Sequence, residues 1–199
     1  MSWYVSEILG LQFQLTGSTG FVGAWVLKFL LEKVRPPERS IDADKVSQGY
    51  HVRAAIRSQS KAGSLPKSDN LELVTVPDIV APNAYTDAVK NVTSIIHCAS
   101  PYTFSVGSNE ALLIPAREGT LNMLRAAAKE SSVKRVVITS SFAALNQLGK
   151  DPYAKPPMVY DESVWNPVTW EQALKGPARM AYQASKKYAE LAAHGQCLW

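Results

Sequence analysis

Cysteine is nearly missing from this sequence. Cys98 sits inside an apolar run and Cys197 lies close to the C-terminal end, so neither a disulfide framework nor a cysteine-based zinc site is expected, and a reducing cytoplasm suits the chain. Blocks of like charge are missing too. The 21 Lys and Arg are spread among 17 Asp and Glu, for a formal charge of +4, with no basic run and no interleaving of aromatic and basic residues, which argues against a nucleic-acid partner. The opening stretch MSWYVSEILGLQFQL lacks a basic segment and is interrupted by Glu7, Gln12 and Gln14, so it reads as neither a secretion signal nor a membrane span. A soluble, cytoplasmic protein without a membrane partner is the expectation. Internal repeats and low-complexity blocks are also lacking.

Apolar residues are plentiful, at 46%, enough for one domain with a substantial core. In LQFQLTG, Leu11, Phe13 and Leu15 alternate with Gln12 and Gln14, a strand pattern, and Ala24 to Lys33 carries helical spacing. YHVRAAIRS, LELVTV, TSIIHCAS and KRVVITSS read as four further strands, several of them almost uniformly apolar. NAYTDAVKN predicts a short helix, ALLIPAREGTLNMLRAAAKES a long one and ARMAYQASKKYAELAA a last one, while Gly149 to Gly176 reads as irregular, with Pro152, Pro156, Pro157 and Pro167. Strands alternating with helices imply an α/β fold: a Rossmann-type, doubly wound parallel sheet with helices on both faces. Residues 1–199 are expected to form one domain.

One connection departs from that scheme. If Val34 to Gln48 is removed, the text reads LLEKGYHVRAAIRS, a helix closed by glycine and passing straight into a strand. With the segment VRPPERSIDADKVSQ in place the connection is far longer than the roughly 2 to 6 residues usual in α/β units. Residues 34–48 are therefore expected to be an exposed inserted loop, and codons for Val34 and Gln48 that can begin with GT and end with AG fit an intron retained in frame. The tail 194–199 matches nothing before it.

The first chemical motif is TGSTGFVG, with Gly17, Gly20 and Gly23 between a predicted strand and a predicted helix. Such glycines let backbone approach a pyrophosphate, whose charge is met by the helix N-terminus, although the same spacing can mark an ordinary βα turn. An NAD site places an acid on the adenosine ribose at the end of the second strand. Here that strand ends in RAAIRSQSK, with no acid; Arg57, helped by Ser58 and Lys61, suits a 2′-phosphate and so NADP(H). Asp78 and Ile79 follow the third strand, and small or hydroxylic residues close the fourth (Cys98 to Pro101) and the fifth (Thr139 to Ser141), where ligands sit in open α/β sheets. Tyr182 and Lys186 stand one helical turn apart. An ammonium near a phenol favours its ionised form, which suits proton exchange with a carbonyl or alcohol. No metal site is expected.

TGSTGFVG, HCASP, EGTLNML, VVITSS, YDESVWNP and YQASKKYAE, in that order, resemble the extended short-chain dehydrogenases/reductases of the epimerase/dehydratase superfamily. The similarity is to the branch of dihydroflavonol and cinnamoyl-CoA reductases, most of all to the fungal methylglyoxal and ketone reductases. It runs from about Leu15 to Ala193, apart from Val34 to Gln48. The resemblance implies NADPH-dependent reduction of a small aldehyde or ketone to an alcohol. It implies Tyr182 as proton donor, Lys186 as the lysine on the nicotinamide ribose that eases tyrosine ionisation, and Ser141, with Ser140 as rival, as the hydroxyl polarising the carbonyl. It places Gly17, Gly20, Phe21, Val22 and Gly23 on the pyrophosphate, Asp78 and Ile79 beside adenine, and Ala99 along the cofactor channel. Such enzymes carry a substrate-binding C-terminal region, whereas this chain stops at Trp199, so a missing substrate region and impaired turnover are expected. A nucleotide-sugar epimerase or dehydratase using NAD and a non-catalytic NADP(H)-binding redox sensor are the competing readings.

Overall fold

A computed structural model of the chain describes residues 12–32, 50–103, 107–146 and 159–196. The expected insertion at 34–48 and residues 197–199 of the expected atypical tail lie outside the described residues. Five strands form one parallel sheet: β1 (Gln12–Thr16), β2 (His51–Ile56), β3 (Leu71–Thr75), β4 (Ser94–His97) and β5 (Arg135–Ile138), in the order β3-β2-β1-β4-β5. The expected parallel α/β sheet is thus present. Strand order reverses between β1 and β4, the switch point at which such sheets open a crevice for ligands.

By contacts the chain divides into two compact units, residues 1–99 with 122–139, and residues 100–121 with 140–199. In the first, alternation along the strands sends neighbouring residues to opposite faces. Leu15, Val52 and Ile96 pack with Leu27 of helix α1 (Phe21–Leu31). Ala55, Ile95 and Val136 turn the other way, toward Tyr85, Ala88 and Val89 and toward Met123, Ala126 and Ala127 in the second half of helix α2 (Glu110–Lys129). Burial pushes the Tyr85 phenol well above the ordinary range, so it stays neutral.

Two local expectations are corrected. NAYTDAVKN forms a run of turns, not a helix, with Thr86 bonded to the Asn83 carbonyl and Val92 to that of Val89. Asn83 and Asn91 both adopt positive φ (58° and 59°), a left-handed conformation that asparagine tolerates but that no helix propagates through. Conversely, the stretch read as irregular contains helix α3 (Trp170–Lys175). Its start is a reciprocal capping box between Thr169 and Gln172, the S/T-x-x-E/Q signature that the surrounding prolines obscure.

Within the second unit, Leu113, Val168, Ala173 and Ala184 form a core flanked by Trp170 and Tyr188, whose rings meet edge-on at 5.1 Å. The Arg117 guanidinium lies 4.5 Å over the Trp170 ring. The Asn109 side-chain amide donates to the carbonyls of Ala173 (2.9 Å), Leu174 (3.2 Å) and Gly176 (2.7 Å). That clamp closes the end of α3 and sets the turn into helix α4 (Ala178–Gln196). Among the described residues no helix is long and apolar enough to cross a membrane.

Candidate active site

The glycine turn is built of backbone. Gly17 has φ +71°, and a Cβ added there would stand 2.8 Å from the Ala99 nitrogen and the Cys98 carbonyl carbon. At Gly23 it would stand 2.1 Å from the Gly17 carbonyl oxygen. No side chain fits at either position. The turn is held by a bond from the Gly20 amide to the Gly17 carbonyl (2.9 Å). Gly20 caps α1 in extended conformation without a side-chain acceptor, so the N-cap residue itself offers the first-turn amides of the helix no side-chain partner. Thr19, Gly20, Phe21 and Val22 are exposed around them. A cleft free of side-chain atoms at a helix N-terminus is what a diphosphate needs.

Thr16, at the end of β1, ties that turn to the end of β4. Its Oγ1 accepts from the amides of Cys98 (3.1 Å) and Ala99 (3.0 Å) and lies 2.8 Å from His97 Nδ1. With two incoming N–H bonds, the hydroxyl has its own proton to give to Nδ1, which places the ring proton of a neutral His97 on Nε2. Ala99 thereby stands beside Gly17. Cys98 Sγ lies 3.1 Å from Thr139 Oγ1.

Arg57 immediately follows β2, and Lys61 lies in the short 3-10 helix Gln59–Ser64. Both are exposed, and no acid occurs between them. Ser58 is engaged with Ser60 at 2.7 Å. Asp78 is exposed, with Oδ1 accepting from the Val80 amide (2.8 Å), and Ile79 packs on the core beneath. Asn122, absent from the sequence-derived candidates, donates its amide to the carbonyls of Ile79, Val80 and Ala81 at 3.0 to 3.1 Å. It holds the Asp78–Ile79 loop by its backbone.

In the second unit, Ser141 and Tyr182 line a single cavity of about 570 Å³, together with Phe142, Asn146, Arg179 and Gln183. Ser141 caps the 3-10 turn Phe142–Ala144, its Oγ accepting from the Ala143 amide (3.1 Å). That bond uses one of the two acceptor sites of the oxygen and leaves the hydroxyl proton available for donation. Ser140 differs: its hydroxyl donates to the Glu190 carboxylate, whose other oxygen lies 4.0 Å from His194 Nε2. The Tyr182 ring meets the Tyr102 ring edge-on at 5.0 Å, and Lys186 stands half-buried one turn further along α4. Its neighbour Lys187 donates to the Val168 carbonyl (3.0 Å), and partial burial lowers its ammonium from the usual lysine range. Among the described residues no cluster of metal-ligating side chains occurs.

Sequence reasoning passed over Phe142, Asn146, Arg179 and Gln183. The helical spacing of Arg179 to Tyr182 was a usable signal for one of them; nothing in the sequence marks the others as cavity walls.

Residues 14–194 match the 3-beta hydroxysteroid dehydrogenase/isomerase family. An uncharacterised oxidoreductase of Schizosaccharomyces pombe is 42% identical over 187 residues, covering 90% of this chain and 51% of that protein. Aldehyde reductase 2 of Sporidiobolus salmonicolor is 35% identical over 191 residues, covering 90% of this chain and 50% of that one. Among solved structures, yeast methylglyoxal/isovaleraldehyde reductase complexed with NADPH superposes with a TM-score of 0.78 at 31% identity, covering 93% of this chain and 52% of that one. The chain spans about half the length of the curated relatives it matches.

Proposed function

The chain belongs to the 3-beta hydroxysteroid dehydrogenase/isomerase family, within the extended short-chain dehydrogenases/reductases, and from that premise we propose that it carries the chemistry of an NADPH-dependent carbonyl reductase. The substrate is a small aldehyde or ketone and the product an alcohol. The observation that carries this reading is the shared cavity: Ser141 and Tyr182 line one space, with Lys186 one turn beyond the tyrosine. NADPH, when bound, supplies the hydride taken up by the carbonyl carbon. Tyr182 delivers its phenolic proton to the carbonyl oxygen. Ser141 donates a hydrogen bond to the same oxygen, its Oγ oriented by the bond it accepts from the Ala143 amide. Ser140 is unsuited to that task because its proton is committed to Glu190. The Lys186 ammonium offsets the phenolate charge left on the tyrosine.

The glycine turn serves the cofactor in this reading. First-turn amides at Phe21, Val22 and Gly23 take the pyrophosphate, and Arg57 with Lys61 takes the 2′-phosphate. The adenine is bordered by Asp78 and Ile79, and Ala99 lines the channel. Arg57, where an acid would grip an NAD ribose, favours this reading over a nucleotide-sugar epimerase. A cytoplasmic location belongs to the same proposal, since a chain with only two cysteines suits a reducing compartment.

The test is NADPH oxidation with aliphatic aldehydes. Tyr182→Phe is expected to reduce kcat by about a thousandfold or more, as for loss of a general acid whose phenolate also steers charge, with NADPH affinity unchanged. Retained turnover in that variant sinks the mechanism.

A further inference from the structure

We propose that the substrate of this site is an oxo acid, its carboxylate held by Arg179 while its carbonyl faces Tyr182 and Ser141. This inference rests on the carbonyl-reductase reading and deepens it. Arg179 is the only charged residue among the described residues lining the cavity. It precedes Tyr182 by three positions on α4, so the two side chains leave the same helix face with Cβ atoms about 5 to 6 Å apart. A group bound by one is within a few bonds of a group bound by the other.

The state of the guanidinium sharpens the point. Arg53 is paired with Glu72 at 2.9 Å, Arg117 with Glu118 at 2.8 Å, and Arg125 is bonded to Asn122 at 3.3 Å. Arg179 engages no acid and no hydrogen-bond acceptor among the described residues, and it is exposed to the cavity space. Its planar fork of donors is therefore open to a carboxylate, which it matches in a bidentate manner. Asn146, also on the cavity wall, can add an amide donor to the same anion. No carboxylate lines the cavity among its described residues to repel one. The volume of about 570 Å³ accommodates a small organic acid.

The aldehydes and dicarbonyls named for the relatives are uncharged, so a matched pair of substrates separates the two cases: 3-oxobutanoate and its methyl ester, offered with NADPH to the expressed chain. The expected result is a kcat/KM at least about tenfold higher for the acid. Arg179→Leu should cost the acid about ten- to a hundredfold, chiefly in KM, and change the ester by less than about threefold. NADPH affinity should not move. Equal use of acid and ester by the wild-type chain, or an Arg179→Leu variant that loses NADPH instead, overturns the proposal while leaving the reductase reading standing. If no carbonyl compound is reduced at all, the reductase reading fails. Calorimetric titration of 3-oxobutanoate into the NADP+-loaded protein then decides the anion site by itself, with binding lost in Arg179→Leu supporting it and unchanged binding refuting it.

Discussion

The glycine turn and the cavity around Tyr182 are built by opposite means. In the turn every decisive contact is backbone, and the requirement is that side chains be missing: a Cβ at Gly17 or Gly23 would overlap main-chain atoms. In the cavity the decisive groups are side chains on a 3-10 turn and one helix face, and the backbone there is ordinary. A backbone site tolerates almost no change at its glycines and is indifferent to its surroundings. A side-chain site can keep its proton donor while its walls change, which is how one scaffold comes to serve many carbonyl compounds.

The largest effect expected from breaking this contrast is at Gly23. Gly23→Ala forces a methyl group to within 2.1 Å of the Gly17 carbonyl oxygen, so the turn or α1 must shift. A loss of about 3 kcal/mol or more is expected, with NADPH retention abolished even in protein that still folds. Gly63 supplies the control, since nothing lies within 4 Å of an added Cβ there; Gly63→Ala should stay within about 0.5 kcal/mol of wild type. Urea unfolding of the two variants side by side measures both. Equal stability for both would mean that the turn is softer than its contacts indicate.

Arg57→Ala comes next. Removing a charge-assisted contact to the 2′-phosphate should weaken NADPH by about tenfold, equivalent to about 1.4 kcal/mol, and leave NADH nearly unaffected. Because Arg57 is exposed, its contribution should shrink as salt is added. Fluorescence titration with both cofactors at two ionic strengths gives the answer. Parallel weakening of NADPH and NADH would remove Arg57 from the phosphate.

The same contrast explains what the sequence revealed. Strands such as YHVRAAIRS announce themselves by alternation and β-branching, and the glycine turn by a spacing that steric exclusion enforces. Parallel pairing of β1 with β2 and of β4 with β5 follows from the helices α1 and α2 that cross over between them. The turns at Asn83 to Asn91 were concealed because alanine and valine at helical spacing outweigh two asparagines in any local reading, although each asparagine sits at positive φ. Asn146 was concealed for a different reason. A cavity wall is assembled from residues whose only relation is spatial, and no period or motif ties residue 146 to residue 179. Asn109 and Asn122 are similar cases, each clamping three distant carbonyls.

The smallest expected effect is at Ser140, set apart from its neighbour Ser141, where chemistry and architecture are separated by one residue. Ser140 gives its proton to Glu190, which lies one turn beyond Lys186 on α4. The bond therefore pins the segment that carries Ser141 to the helix that carries Tyr182, while Ser141 itself keeps a proton for the cavity. If that division holds, Ser141→Ala should lower kcat by about a hundredfold, in the range seen for loss of an oxyanion donor. Ser140→Ala should lower it only several-fold, with KM nearly constant. The link can also be tested without turnover, by a double-mutant cycle in stability on Ser140→Ala and Glu190→Gln. A hydrogen bond to a carboxylate contributes about 1.5 to 3 kcal/mol where it is buried, and exposure at this site reduces that to a coupling of about 1 kcal/mol. Additive losses would show that the two residues act independently, and a kcat loss at Ser140 matching that at Ser141 would exchange their roles.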